Sequence, residues 1–328
     1  MQSKRKLIIF TAATNRPIFT GFIQAKSPFF EVEVKCPVGS QAFTMNAIQT
    51  TLNNAYSLQA DPKPAIFALF AGNTITIPSQ TILDIRYEIT AFYSDYSAYG
   101  ANMPCCIGRF PTDDPVQLRA LCDLSIQSIP PPPDPLSAKM FFLAGTKSDF
   151  RNCTWFSTTL KQHGYNSECQ YIIDRSIFTA QQPFIFASHL IFYMGHGSFS
   201  GWCPKTDQRI SAHDFPPLAS PPPMRHIFSF ACNCGIFSAN ASSLGIDLLL
   251  QGKTLTFFGA STTCYEDHNC ILARKILDRY HADRPLCIGE LLHFQVSSFP
   301  EDNASSFQAA YNLLGDPTIF IRPPVPAD

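Results

Sequence analysis

The chain has 328 residues, and its 24 basic and 25 acidic side chains nearly cancel to a net charge of −1. That balance excludes the basic excess of a general nucleic-acid or membrane-surface binder. Hydrophobic residues make up 45% of the chain, 29 of them Phe, which excludes wholesale disorder. No apolar run reaches the ~18–20 residues that a membrane helix needs.

The N-terminus imitates a signal peptide, with basic residues ahead of Leu7-Ile8-Ile9-Phe10. The apolar stretch is short, however, and Asn15-Arg16-Pro17 interrupts it, so residues 6–11 read as a first strand. Residues 30–36 alternate apolar and polar like a half-buried strand. Residues 43–58 read as a helix, 65–71 as a buried strand and 116–126 as a helix. Pro130-Pro131-Pro132-Pro133 then stops any helix or central strand and makes a stiff spacer. It divides the chain into an N-terminal α/β subdomain, 1–135, and a second subdomain, 136–328.

Beyond the spacer, strands are expected at 140–144, 168–173, 189–194, 226–231, 254–258 and 318–321. Helices are expected at 150–162, 243–251, 269–280 and 288–296, with Gly164 and Gly252 as C-terminal stops for the first two. Strands alternating with helices imply βαβ units and a mostly parallel sheet. The second proline tract, 216–223, reads as a surface loop ahead of a strand. The twelve cysteines lack disulfide-scaffold spacing and mostly sit in apolar segments, as small core residues in a reduced compartment do.

In an open parallel sheet, functional groups collect at the carboxyl ends of the strands. Two expected strands end there in unusual residues. The strand over 189–194 runs into Gly195-His196-Gly197, and that over 226–231 runs into Cys232-Asn233-Cys234-Gly235. If the strands are neighbours, an imidazole and a thiol meet at one edge. The thiolate form is a nucleophile, and an imidazole activates it or protonates a leaving amine. Glycines beside His196 allow a sharp turn. The Gly197 and Cys232 amides are placed to hold an oxyanion. On this chemistry alone, Cys232 and Cys234 are equal candidates for the nucleophile.

Gly195-His196-Gly197-Ser198 with Trp202 six residues after the His, followed by Ala231-Cys232-Asn233-Cys234-Gly235, resembles the gingipain-type cysteine peptidases, family C25 of clan CD. Residues 252–262 resemble the family's strand and turn after the nucleophile helix, and Leu314-Gly315-Asp316-Pro317-Thr318 its closing signature. Ile107-Gly108-Arg109-Phe110-Pro111 resembles the element closing the N-terminal subdomain. The resemblance implies a caspase-like α/β/α sandwich with a mostly parallel sheet and two side-by-side subdomains, the second catalytic. It implies a cysteine endopeptidase with Cys232 as nucleophile and His196 as general acid/base. Cys232 is preferred to Cys234 by the register of that motif.

Three further assignments follow from the resemblance. Asp149 falls where arginine-specific members carry the acidic floor of the P1 pocket, and a carboxylate there selects Arg or Lys. Its other reading is the N-cap of the helix at 150. Trp202 is counted with Asp149 and Tyr265 among the substrate-binding residues, packing beside the His and shielding it, or is a plain core residue. Tyr265 stands where members place an aromatic wall of the pocket. No acidic residue that orients the His is evident in the short loop 145–149.

The implied partner is a protein or peptide substrate, with no nucleic acid and no membrane, for a monomer; some clan members stay latent until an activating protein, calcium or a proteolytic cut completes the pocket. No cofactor is implied. Calcium occurs in the secreted gingipains, but no oxygen-rich loop marks a site here. A zinc site built from Cys264, Glu266, Asp267, His268 and Cys270 lacks the usual paired-cysteine spacing. The Cys232-x-Cys234 pair is a poor match to redox motifs. The rival to the peptidase is a latent or non-catalytic caspase-like interaction domain. The lack of an export signal and of a long prodomain leads to the expectation of a cytoplasmic protein, or of an effector secreted without a Sec signal.

Overall fold

The computed structural model describes residues 4–39, 42–59, 65–84, 90–94, 105–129, 136, 138–205, 207–218, 225–238, 242–282, 287–293 and 310–322. The proline spacer, most of the second proline tract and the end of the helix expected over 288–296 lie outside them.

Short runs of consecutive apolar residues become strands covered on both faces, as parallel sheets require. The first part of the chain forms β1 (Arg5–Thr11), α1 (Thr20–Lys26), β2 (Phe30–Lys35), α2 (Met45–Ser57), β3 (Ile66–Ala71), the paired β4 (Gln80–Asp84) and β5 (Thr90–Ser94), β6 (Cys105–Phe110) and α3 (Pro115–Gln127). After the spacer come β7 (Met140–Ala144), α4 (Lys147–Gln162), β8 (Ser167–Tyr171), α5 (Arg175–Phe186), β9 (Leu190–Met194), β10 (Gly197–Ser198), β11 (Gly201–Lys205) and β12 (Gln208–Ile210). The chain continues with β13 (His226–Phe230), α6 (Leu244–Leu250), β14 (Thr256–Ala260), α7 (Glu266–Ala282), α8 (Ile288–Leu292) and β15 (Tyr311–Gly315).

Ten strands make one sheet in the order β2-β1-β3-β6-β15-β14-β13-β9-β7-β8. All neighbours in it are parallel except β14 and β15. Successive strand residues serve opposite faces. On β7, Phe141 and Leu143 pack with Phe178 of α5 and Leu244 of α6, whereas Met140 and Phe142 pack with Phe156 of α4 and Ile276 of α7. On β1, Leu7 and Ile9 join the first face with Phe22 of α1 and Leu118 of α3, while Ile8 and Phe10 meet Ile48 of α2. The result is the expected α/β/α sandwich.

Two expectations need correction, and one helix was not expected. Residues 318–321 are not a strand: the antiparallel β15 lies earlier, and Phe320 makes only an isolated bridge to Cys287. The helix expected from 150 begins three residues sooner, at Lys147, because the Thr146 side chain caps it. The helix α5 had no sequence expectation, because Pro183 inside it reads as a breaker. Its start is nonetheless marked by Asp174, whose carboxylate accepts the Ile177 N–H at 3.0 Å.

Candidate active site

Parallel register brings the two motifs together. Met194 at the end of β9 pairs with Phe230 at the end of β13, and with Ala144 at the end of β7. His196 and Cys232 therefore each lie two residues beyond a paired position, at the carboxyl edge of adjacent strands. The turns touch. A Cβ on Gly197 would come within 2.8 Å of Ala231 Cβ and of Cys234 Sγ, so only glycine permits this approach. Asn233 takes a left-handed backbone (φ 60°), the sole non-glycine among the described residues to do so. Asn tolerates that conformation better than most side chains. The Asn233 N–H donates to Thr262 O at 3.1 Å, which ties the turn to the segment after β14.

The two thiols of the motif differ in surroundings. Cys234 is fully buried, its Sγ donates to Ser198 O at 3.4 Å, and burial pushes its pKa up to about 12. It is a core thiol holding the turn to the β10–β11 hairpin. Cys232 is only partly buried. Its Sγ lies 3.9 Å from Cys264 Sγ and accepts the Cys264 N–H at 3.4 Å. The Cys264 thiol, the Cys264 amide, the His196 charge and its own amide outweigh burial and bring the Cys232 pKa down to about 6. Cys264 is driven the opposite way, well above the ordinary thiol range, because it supplies its proton to Cys232 and is itself buried.

Behind Cys264 runs a buried polar chain. Asn269 Nδ2 donates to Cys264 Sγ at 3.4 Å and to Phe230 O at 3.2 Å, and the Tyr311 hydroxyl donates to Asn269 Oδ1. Tyr311 reaches this edge because β15 is antiparallel: its first residue pairs with Ala260, the last of β14. Sequence reasoning missed Asn269 and Tyr311, and it weighed Cys264 only within a zinc set that it set aside for want of paired-cysteine spacing. Among the described residues, no three His, Cys, Asp or Glu side chains converge as a metal site.

His196 is exposed, and its carbonyl is held by the Tyr193 hydroxyl and the Cys203 N–H, both at 2.9 Å. Its imidazole makes no hydrogen bond among the described residues and acts on Cys232 and Asp149 through charge. Asp149 stands at the third position of α4, at the same sheet edge, and is 4% exposed. Its Oδ2 accepts the Thr146 hydroxyl at 2.6 Å and its N–H donates back to Thr146 Oγ1 at 3.1 Å. Thr146 is thus the N-cap, which corrects the alternative reading of Asp149 as the cap. Burial raises the Asp149 pKa, while the Thr146 hydroxyl and the His196 charge restrain it.

Trp202 is fully buried. It pairs across the hairpin from Gly197, stacks on Tyr193 (centroids 4.3 Å apart, 10° between planes) and donates Nε1–H to Ser229 Oγ at 2.9 Å. Its ring supports the His196 turn from the core side and offers no surface to a substrate, which corrects its placement among substrate contacts. Tyr265 is 42% exposed beside Cys264, with its ring edge-on to His268. An open groove of about 870 Å³ on the α5 side, lined by Arg175, Gln182, Phe186, Asp214 and Lys253, contains none of these residues.

Fold and site together define a caspase-like α/β/α protein with a thiol and an imidazole at adjoining strand ends. Residues 33–322 match the sequence profile of peptidase family C25. The chain belongs to that family, and it is of the gingipain type within clan CD. No curated protein matches it. Among solved structures it is similar to the Arg-specific cysteine proteinase gingipain R (RgpB), with a TM-score of 0.76 at 17% identity over 98% of this chain and 79% of that one. It is also similar to the complex of Porphyromonas gingivalis RgpB pro- and mature domains, with a TM-score of 0.77 at 17% identity over 97% and 80% of the two chains. A third structure, described as a protease, matches with a TM-score of 0.72 at 13% identity over 98% and 79%.

These findings overturn the expectation of a cytoplasmic protein. The cytoplasmic reading had rested on the missing export signal, the missing long prodomain and the unpaired cysteines, and the likeness to gingipain R, a secreted protease, contradicts it. Among the described residues, no helix is long and apolar enough to cross a membrane.

Proposed function

We propose that this chain is a cysteine endopeptidase held in a latent arrangement, with Cys232 as nucleophile and His196 as general acid/base. The observation that carries the reading is the Cys232 sulfur. It is partly exposed at a strand end beside the His196 turn, and its surroundings bring the pKa down to about 6. A thiolate is the attacking form. In the active state, Cys232 attacks the peptide carbonyl carbon and the amides of Gly197 and Cys232 receive the oxyanion. His196 protonates the departing amine, and water then hydrolyses the thioester.

Latency is supported by the contacts of the sulfur, which are with Cys264 rather than with the imidazole. An activating event must therefore turn His196 toward Cys232. A protein partner, calcium or a cut would each serve. The buried carboxylate of Asp149 favours a basic P1 residue, held by a charge-assisted contact. The absence of a hydrogen bond between Cys232 and His196 also suits the second reading, a non-catalytic interaction domain.

Fluorogenic peptides varied at P1, with and without calcium, test both readings on the wild-type chain and on Cys232→Ala and Cys234→Ala. Turnover lost only in Cys232→Ala, and confined to Arg or Lys at P1, is the expected result. Cleavage after Asp or Asn with none after Arg or Lys refutes the P1 assignment. Silence from every form, with Cys232 also inert to an electrophilic peptide, favours the interaction domain.

A further inference from the structure

We propose that Cys232 and Cys264 form a modification site, a reversible disulfide made by hydroperoxides that closes the nucleophile off. The proposal deepens the peptidase reading and rests on it for its consequence, though not for its chemistry. The two residues are 32 apart in sequence, yet their sulfurs are 3.9 Å apart and the Cys264 amide lies 3.4 Å from Cys232 Sγ. Their backbones are therefore already close, and side-chain rotation shortens the gap to the ~2 Å of a disulfide. Cys232 is partly exposed, so a small peroxide reaches it. Cys264 has a donor behind it, Asn269 Nδ2, placed to stabilise its own anion at 3.4 Å. An accessible sulfur with a resolving sulfur behind it is the arrangement of a redox-sensing thiol.

The steps balance. The Cys232 thiolate attacks one peroxide oxygen. The S–O bond forms as the O–O bond breaks, and the departing hydroxide takes up a proton to become water. Cys232 is then a neutral sulfenic acid, and Cys264 is freed from sharing its proton with a thiolate. The Cys264 sulfur attacks the Cys232 sulfur, the S–S bond forms, and the hydroxyl leaves as water with the Cys264 proton. In sum, two thiols and one hydroperoxide give one disulfide, one alcohol or water from the peroxide, and a further water. A dithiol reverses the reaction by exchange.

Other thiols provide internal controls. Cys153 and Cys169 also share a hydrogen bond, but Cys153 is fully buried. Cys234, only two positions from Cys232, turns its sulfur to Ser198 instead.

The test exposes the full chain to hydrogen peroxide at low molar excess, followed by differential alkylation and peptide mass spectrometry. The expected product is a Cys232–Cys264 linked peptide pair about 2 Da lighter than the two thiols, restored to free thiols by dithiothreitol. In Cys264→Ala and Cys264→Ser, Cys232 passes instead to sulfinic acid, which dithiothreitol does not reverse. The proposal is overturned if wild-type Cys232 reaches the sulfinic state while Cys264 remains alkylatable, or if Cys153–Cys169 or another pair takes up the oxidation first. The readout is mass, so it does not depend on turnover. A disulfide in a chain that stays silent toward peptides even after calcium or a proteolytic cut sinks the peptidase reading and leaves this one standing. Turnover without the disulfide does the reverse.

Discussion

Cys232 and Cys234 stand two residues apart in one turn, and their neighbours alone make one an anion and the other a buried neutral thiol. Alkylation of Cys232 is accordingly expected to rise with a midpoint near pH 6 rather than 9. Cys264→Ala moves that midpoint upward, because it removes the largest of the stabilising contacts; the rate of iodoacetamide labelling against pH reads both. The folded pKa lies below the unfolded one, so the thiolate's contribution to stability is complete above about pH 9 and is lost as the pH falls to about 6. The motif residues His196, Gly197 and Cys232 were legible in the sequence because each is an unusual residue at the end of an apolar run. Cys264, Asn269 and Tyr311 were not, because their significance lies in contacts spanning 32 to 42 positions.

At the scale of single elements, hydrophobic runs located most strands to within two residues, since a strand buried on both faces needs five or so apolar residues in a row. Failures came where a local signal misled. Pro183 hides α5 from a reading of periodicity, and the expected last strand over 318–321 is buried without a ladder. Helix α4 matters most for the site, because its first turn carries Asp149 to the sheet edge. Replacing Thr146 with Ala removes both the cap and the hydroxyl on the carboxylate. That change is expected to lower stability by about 1 kcal/mol in thermal unfolding. It also raises the Asp149 pKa further, since the Thr146 hydroxyl is what chiefly holds it down. The shift is measurable from the carboxyl resonance of Asp149 against pH.

At the scale of the whole molecule, the final strand joins the two parts of the sheet. β15 lies between β14 of the later part and β6 of the earlier one. The segment after it is locked in place. Gly315 has φ +124° and no room for a Cβ, which would fall 2.7 Å from Leu255 O. Asp316 is completely buried and binds Lys26 of α1 at 2.7 Å, with Ser125 of α3 and Thr318 donating to the same carboxylate. Burial works against this carboxylate, but Lys26 and the hydroxyls hold its pKa below the ordinary range. Asp316→Ala strands the Lys26 charge and is expected to cost roughly 3–5 kcal/mol in urea unfolding. Adding Lys26→Met recovers much of the loss, an outcome that a merely steric role for Asp316 does not produce.

The sequence by itself determined the alternation of strands and helices, the two chemical motifs and the family they resemble. All of these are written in local patterns: runs of buried residues, glycine turns, rare His and Cys placements. The tertiary structure alone decided which thiol is ionised, that its immediate partner is Cys264, that Trp202 belongs to the core, and that a strand from the C-terminus binds the sheet together. The physical reason is that periodicity reports which faces of an element are covered. Strand order and register, set by packing across the whole sheet, decide which side chains meet.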